Sequence, residues 1–151
     1  MKTVACTFIS LWLVAAACSG KKKVTGMDLY PEMQETDSLD LIFFKTPEDQ
    51  RWFTYAPSTD KELINALVSD VSGEVQPENP CLKEGKIYCY KKGQIFNTIY
   101  FAYLDENCRF MRYIKNGNLY YFPLSETVQK KLAEFKAIAK EPVSPDSVIT
   151  Q

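Results

Sequence analysis

The sequence predicts an α+β domain: an antiparallel sheet of about five to six strands, the last four a C-terminal meander, with two helices packed on one face. Three observations predict it. Apolar residues recur every four positions across Asp60 to Ser72, the period falls to two from Lys86 to Phe122, and Asn116-Gly117 marks a tight hairpin.

The elements follow in chain order. Met1 to Thr3 make a short basic start, and Val4 to Ala17 contain no charge, Pro or Gly. At ~1.5 Å per residue this run is short for a ~30 Å hydrocarbon core, so residues 1–17 read as a secretory signal. The stretch Val14-Ala15-Ala16-Ala17-Cys18 resembles the lipobox of bacterial lipoproteins, where small residues precede a cysteine that takes a diacylglyceryl thioether. The resemblance implies lipid attachment at Cys18, an anchor of acyl chains such as palmitate, and, with Ser19 next, an outer-membrane position facing the periplasm. Ala15 and Ala17 also satisfy an ordinary A-x-A cleavage site, which would leave Cys18 free on a secreted chain. Residues 18–38 are polar, with Pro31 and several acids, and read as the lipidated cysteine and a flexible tether.

A single domain is expected over residues 39–141. Leu39 to Phe44 and Arg51 to Tyr55 suit two strands, separated by the turn residues Pro47, Glu48 and Asp49. Thr59 and Glu62 match a capping box, Leu63, Leu67 and Val71 line one helical face, and Gly73 supplies a stop. Gly73 to Lys83, with Pro77 and Pro80, reads as a loop. Strands are expected over Lys86–Lys91, Gln94–Leu104, Arg109–Lys115 and Asn118–Phe122, and their short joints force antiparallel neighbours. Ser125 can cap a last helix with Val128, Leu132, Phe135 and Ala139 on one face, before Pro142 opens a tail over 142–151.

The expected strand Gln94–Leu104 has two apolar faces. Ile95, Ile99, Phe101 and Tyr103 oppose Phe96, Tyr100, Ala102 and Leu104, so its second face needs a cover, either the first hairpin or a partner.

With Cys6 in the signal and Cys18 taken by lipid, Cys81, Cys89 and Cys108 remain. Cys81 and Cys108 sit at loop edges before strands, and Cys89 lies inside one, which predicts a Cys81–Cys108 disulfide. Three buried free thiols are the other reading. Tyr88, Tyr90, Tyr100, Tyr113, Tyr120 and Tyr121 combine an apolar ring with a polar tip and form the candidate binding face. Their β-propensity gives a purely structural alternative, and Tyr113 with Tyr120 would be cross-strand neighbours.

Function classes narrow by exclusion. The chain holds no histidine, which removes Ser-His-Asp and Cys-His catalysis and imidazole zinc sites. No C-x-x-C pair or glycine-rich phosphate loop is present, so no metal or cofactor is expected. The formal net charge is −1 and becomes −2 without the signal, which gives no reason to expect nucleic acid. The expectation is a lipid-anchored, non-catalytic binding or interaction domain of the cell envelope, with a protein or glycan partner. An inhibitor or immunity protein of the periplasm is the alternative, and a structural envelope component the third.

Overall fold

The computed structural model describes residues 24–142. Residues 1–23, with the expected signal and Cys18, and the expected tail from residue 143 lie outside the described residues. In chain order the elements are α1 (Gly26–Leu29), β1 (Ser38–Thr46), β2 (Asp49–Ser58), α2 (Lys61–Val71), β3 (Gly85–Lys91), β4 (Gln94–Ala102), β5 (Phe110–Lys115), β6 (Asn118–Phe122) and α3 (Glu126–Ile138), with 3₁₀ turns at Pro31–Glu35 and Glu106–Cys108. The architecture is α+β, with one six-stranded antiparallel sheet in the order β2-β1-β3-β4-β5-β6. From β2 at the edge the chain crosses through α2 and re-enters beside β1 as β3; the meander then runs outward.

Local chemistry explains the turns and caps. Lys92-Gly93 and Asn116-Gly117 both carry two consecutive positive φ angles (52° and 75°; 52° and 77°), as a type I′ hairpin turn requires. The α2 cap is Asp60 rather than Thr59, because one Asp60 carboxylate oxygen accepts the N–H groups of both Glu62 (2.8 Å) and Leu63 (3.2 Å). Ser125 caps α3 as expected, accepting from the Val128 N–H. The two helices are tied together at both ends of α2. Lys131 pairs with Asp60 and Glu62, and the Asp70 carboxylate accepts the Ser125 N–H at 2.8 Å.

Alternation then divides each strand between two faces. Leu39, Leu41 and Phe43 of β1, Ile87 and Cys89 of β3, and Ile99 and Phe101 of β4 meet Leu63, Leu67, Val128 and Leu132 of the helices in one buried core. Gly85 is required where β3 passes between β1 and the Phe101 ring, since a Cβ there would lie 2.3 Å from both the Ile42 carbonyl and that ring.

Residues 24–37 depart from the expected tether. Thr25 and Asp28 close a capping box around α1, and Gly26 approaches Val71 so closely that a Cβ would sit 2.0 Å from its carbonyl oxygen. Met33 is 1% exposed, with the Asn97 Nδ2 donating toward its sulfur at 3.3 Å. Tyr30 stands edge-on to Tyr113 with centroids 4.4 Å apart, and its hydroxyl donates to the Ile114 carbonyl at 2.5 Å. The segment is held by a few single residues rather than by a periodic face, so no period announced it.

The first hairpin does not cover the second sheet face, because it lies within the sheet. A strap over residues 74–84 covers one end of that face instead. It pairs at Thr25 with Glu74, bonds the β6 edge through Gln76 N–H to Tyr121 C=O (2.8 Å), and crosses to the second face. There Cys81 packs on a small buried cluster of Ala102, Phe110 and Tyr121. Cys81 and Cys108 form the expected disulfide, with Cα atoms 5.7 Å apart, and Cys89 is a buried free thiol. At the other edge α3 stops at Ile138, short of Pro142, and Lys140 exchanges two backbone bonds with Tyr55 of β2 (2.8 and 2.9 Å). Among the described residues no helix is long and apolar enough to cross a membrane.

Candidate functional site

The strap covers the second face at one end and leaves the rest open. Strand register places Tyr88 and Tyr90 of β3, Tyr100 of β4 and Tyr121 of β6 on this face. Tyr121 is 3% exposed beneath the strap, whereas Tyr88, Tyr90 and Tyr100 are half-buried. Tyr113 and Tyr120 do not belong to this face. They pair across β5 and β6 on the helix side, Tyr113 wholly in the core and Tyr120 packed against it. Adjacent strand residues point to opposite faces, so Tyr120 and Tyr121 were never able to share one.

A transverse row runs across this second face in register: Tyr55, Ile42, Lys86, Tyr100, Arg112 and Tyr121, with Ile42 and Tyr121 buried. The strap adds Lys83, whose ammonium lies 4.3 Å from the Tyr100 ring centre. The Arg112 guanidinium carbon lies 5.7 Å from the same centre and 5.7 Å from that of Tyr121, while Lys86 covers Tyr88 at 4.7 Å. These are cation–π distances, and they hold three cations among aromatic rings. Burial first, then the like charges of Arg112 and Lys86, push the Lys83 ammonium below the ordinary lysine range.

No carboxylate neutralises the three among the described residues. Lys45, Arg51, Lys91, Arg109 and Lys131 each have an acidic partner; Lys83, Lys86 and Arg112 have none. Asp40, on the same face, accepts the Tyr90 hydroxyl at 2.6 Å, a bond that with burial pushes this phenol up to about 12. Glu84 accepts the backbone N–H groups of Tyr103 (2.9 Å) and Leu104 (3.1 Å). The Arg112 Nε is buried without an acceptor, and Nη1 reaches only the Tyr121 hydroxyl, at 3.4 Å. Sequence reading missed this cluster. Its signal was present in Lys86-x-Tyr88-x-Tyr90, which puts a lysine on the tyrosine face at a two-residue period.

Next to Tyr100 the sheet opens. The β4–β5 ladder is limited to Tyr100–Arg112, Phe101–Met111 and Ala102–Phe110, and beyond it the strands part around a cleft of 370 Å³. Tyr30, Ile95, Thr98, Tyr100 and Ile114 line it. A bulge at the β3–β4 register shift makes Ile95, not Phe96, the partner of Tyr90, so Phe96 turns toward the core and Ile95 toward the open face. Ile95 and Ile114 are each 51% exposed at the cleft mouth, and Leu119, opposite Ile114, is 43% exposed. The arrangement offers ring, alkyl and cationic surface. Among the described residues no group of histidine, cysteine or acid side chains is placed to hold a metal ion.

Comparison with protein-family models, with curated proteins and with solved structures finds no match to this chain.

Proposed function

We propose that the protein is a lipid-anchored, non-catalytic binding domain of the bacterial cell envelope, and that its binding face is the open sheet face centred on Tyr100. One observation carries the reading: the cleft between the parted ends of β4 and β5, rimmed by exposed Ile95 and Ile114 and continuous through Tyr100 with the cation cluster. Concave surface with aromatic and aliphatic walls and a few convergent polar groups is what ligand sites present. The lipobox resemblance at Cys18 supports the anchor, and the Cys81–Cys108 disulfide agrees with an oxidising compartment outside the cytoplasm.

The test has two parts. Cys18→Ala is expected to abolish acylation and release the protein from the membrane fraction; unchanged mass and unchanged fractionation would sink the anchor. Envelope proteins and polysaccharides captured by the wild-type protein are expected to be lost with Tyr100→Ala and with Ile114→Asp, and retained with Lys130→Gln on α3.

A periplasmic inhibitor is the second reading, and the hairpin tips favour it. Lys92-Gly93 and Asn116-Gly117 turn at the same end of the sheet, flanked by exposed Ile95, Ile114 and Leu119. Two stiff, partly apolar tips suit insertion into another protein's cleft, and a tight one-to-one complex broken by Leu119→Asp would favour this reading over the first.

A further inference from the structure

We infer that Lys83, Lys86 and Arg112 form a binding site for a doubly charged oxyanion group, a phosphate carried by the ligand of the open face. The inference rests on the open face being the binding face. Three cations gathered around Tyr100 and Tyr88 repel one another and have no carboxylate partner among the described residues, in a chain whose formal net charge is −1. Holding these three like charges together is costly to the isolated domain, and an oxyanion would relieve that cost.

The donor chemistry fits phosphate. Arg112 brings a planar fork of N–H donors, of which Nε has no acceptor and Nη1 has only a long contact to Tyr121. Lys83 and Lys86 add compact ammonium charges from the strap and from β3, and together the three match a group bearing about two negative charges at neutral pH. The position is built, not incidental. Lys83 is delivered by the disulfide-tied strap, and Lys86, Tyr100 and Arg112 share one register row. A phosphate at this point would orient the remainder of its ligand toward the cleft that Tyr100 also lines.

The experiment is titration of the ¹⁵N-labelled chain from Ser19 to Gln151, which keeps the whole folded body and carries no acyl chains, with inorganic phosphate, with sodium chloride at matched ionic strength as control. Saturable shifts are expected at the Arg112 Nε–H and at the Lys83, Lys86 and Tyr100 amides, and chloride should not reproduce them. The double variant Lys83→Gln/Lys86→Gln should weaken binding at least tenfold with amide dispersion retained, and Lys61→Gln/Lys130→Gln, the same charge change on the helices, should not. Absence of saturable shifts, or equal weakening by both doubles, overturns the site. Two further arms separate the source of the phosphate. Glucose 6-phosphate binding without vesicle binding indicates a soluble sugar phosphate; sedimentation with phosphatidylcholine vesicles only when phosphatidic acid, a phosphomonoester lipid, is included, lost in the first double variant, indicates a lipid headgroup. Either result supports the site. If phosphate binds as described but envelope capture survives Tyr100→Ala and Ile114→Asp, the open-face reading fails; if capture is lost in those variants and phosphate gives no saturable shift, the phosphate site fails alone.

Discussion

Lys83 holds its ammonium 4.3 Å from the centre of the Tyr100 ring, although one residue belongs to a strap and the other to a central strand. The contact depends on the ring and not on the hydroxyl. Tyr100→Phe is therefore expected to leave phosphate affinity within about twofold. Tyr100→Ala should reduce it by about two- to fivefold, the scale of one partly exposed cation–π contact, and the titration described above measures both.

The disulfide sets where the strap ends. Cys81→Ser/Cys108→Ser should destabilise the fold by about 3.5 kcal/mol, the chain-entropy value for a crosslink of this span. Denaturant unfolding with and without reductant checks it. Phosphate affinity should fall as well, because Lys83 follows Cys81 by two residues and loses its fixed position.

Cys89 should behave in the opposite way. Burial pushes its thiol up to about 12 and leaves its side chain without solvent access, so little thiolate exists at neutral pH. Alkylation of the native protein is expected to label no body cysteine, and unfolding without reductant to expose one. Rapid labelling of Cys89 in the folded protein would contradict the packing.

Gly26 is predicted to be intolerant of any side chain. A Cβ placed 2.0 Å from the Val71 carbonyl oxygen and 2.7 Å from the Tyr113 hydroxyl meets backbone on one side and a core ring on the other. Gly26→Ala should cost about 1–3 kcal/mol, as overpacking does. A melting temperature equal to wild type would show that residues 24–37 do not pack as described.

Asp70 gives a pH dependence with a definite sign. Burial raises its carboxyl above the ordinary range, partly offset by the bonds from Ser125. A raised carboxylate contributes stability at low pH that is lost as pH rises through its folded value. Between about pH 4 and 7 Asp70→Asn should remove that decline and still accept the Ser125 N–H. Thermal melts of the two proteins across this range give the comparison.

Much of the fold was legible because it rests on local chemistry. Asn116-Gly117, the four-residue period of α2 and the Ser125 cap each act within a few residues, and the strand edges fall close to the expected ones. Strand order was not legible, since nothing in β1 or β2 states that α2 carries the chain back beside β1. The α2 cap moved by one residue because Asp60 binds two N–H groups and Lys131 as well. The site was half legible. Tyr88, Tyr90 and Tyr100 were named from ring chemistry, but Tyr113 and Tyr120 needed the two-residue period applied to them, and the cations needed the register.

The packing of residues 24–37 on the body bears on geometry in the cell. With a lipid on Cys18, five residues separate the anchor from the folded body, and a fully extended chain of that length reaches at most about 22 Å. A tether running to Ser38 would have let the domain roam several times farther into the periplasm. On the proposed anchor, so short a leash would keep the domain within roughly its own diameter of the bilayer, and what it captures would lie at the membrane surface or come to it.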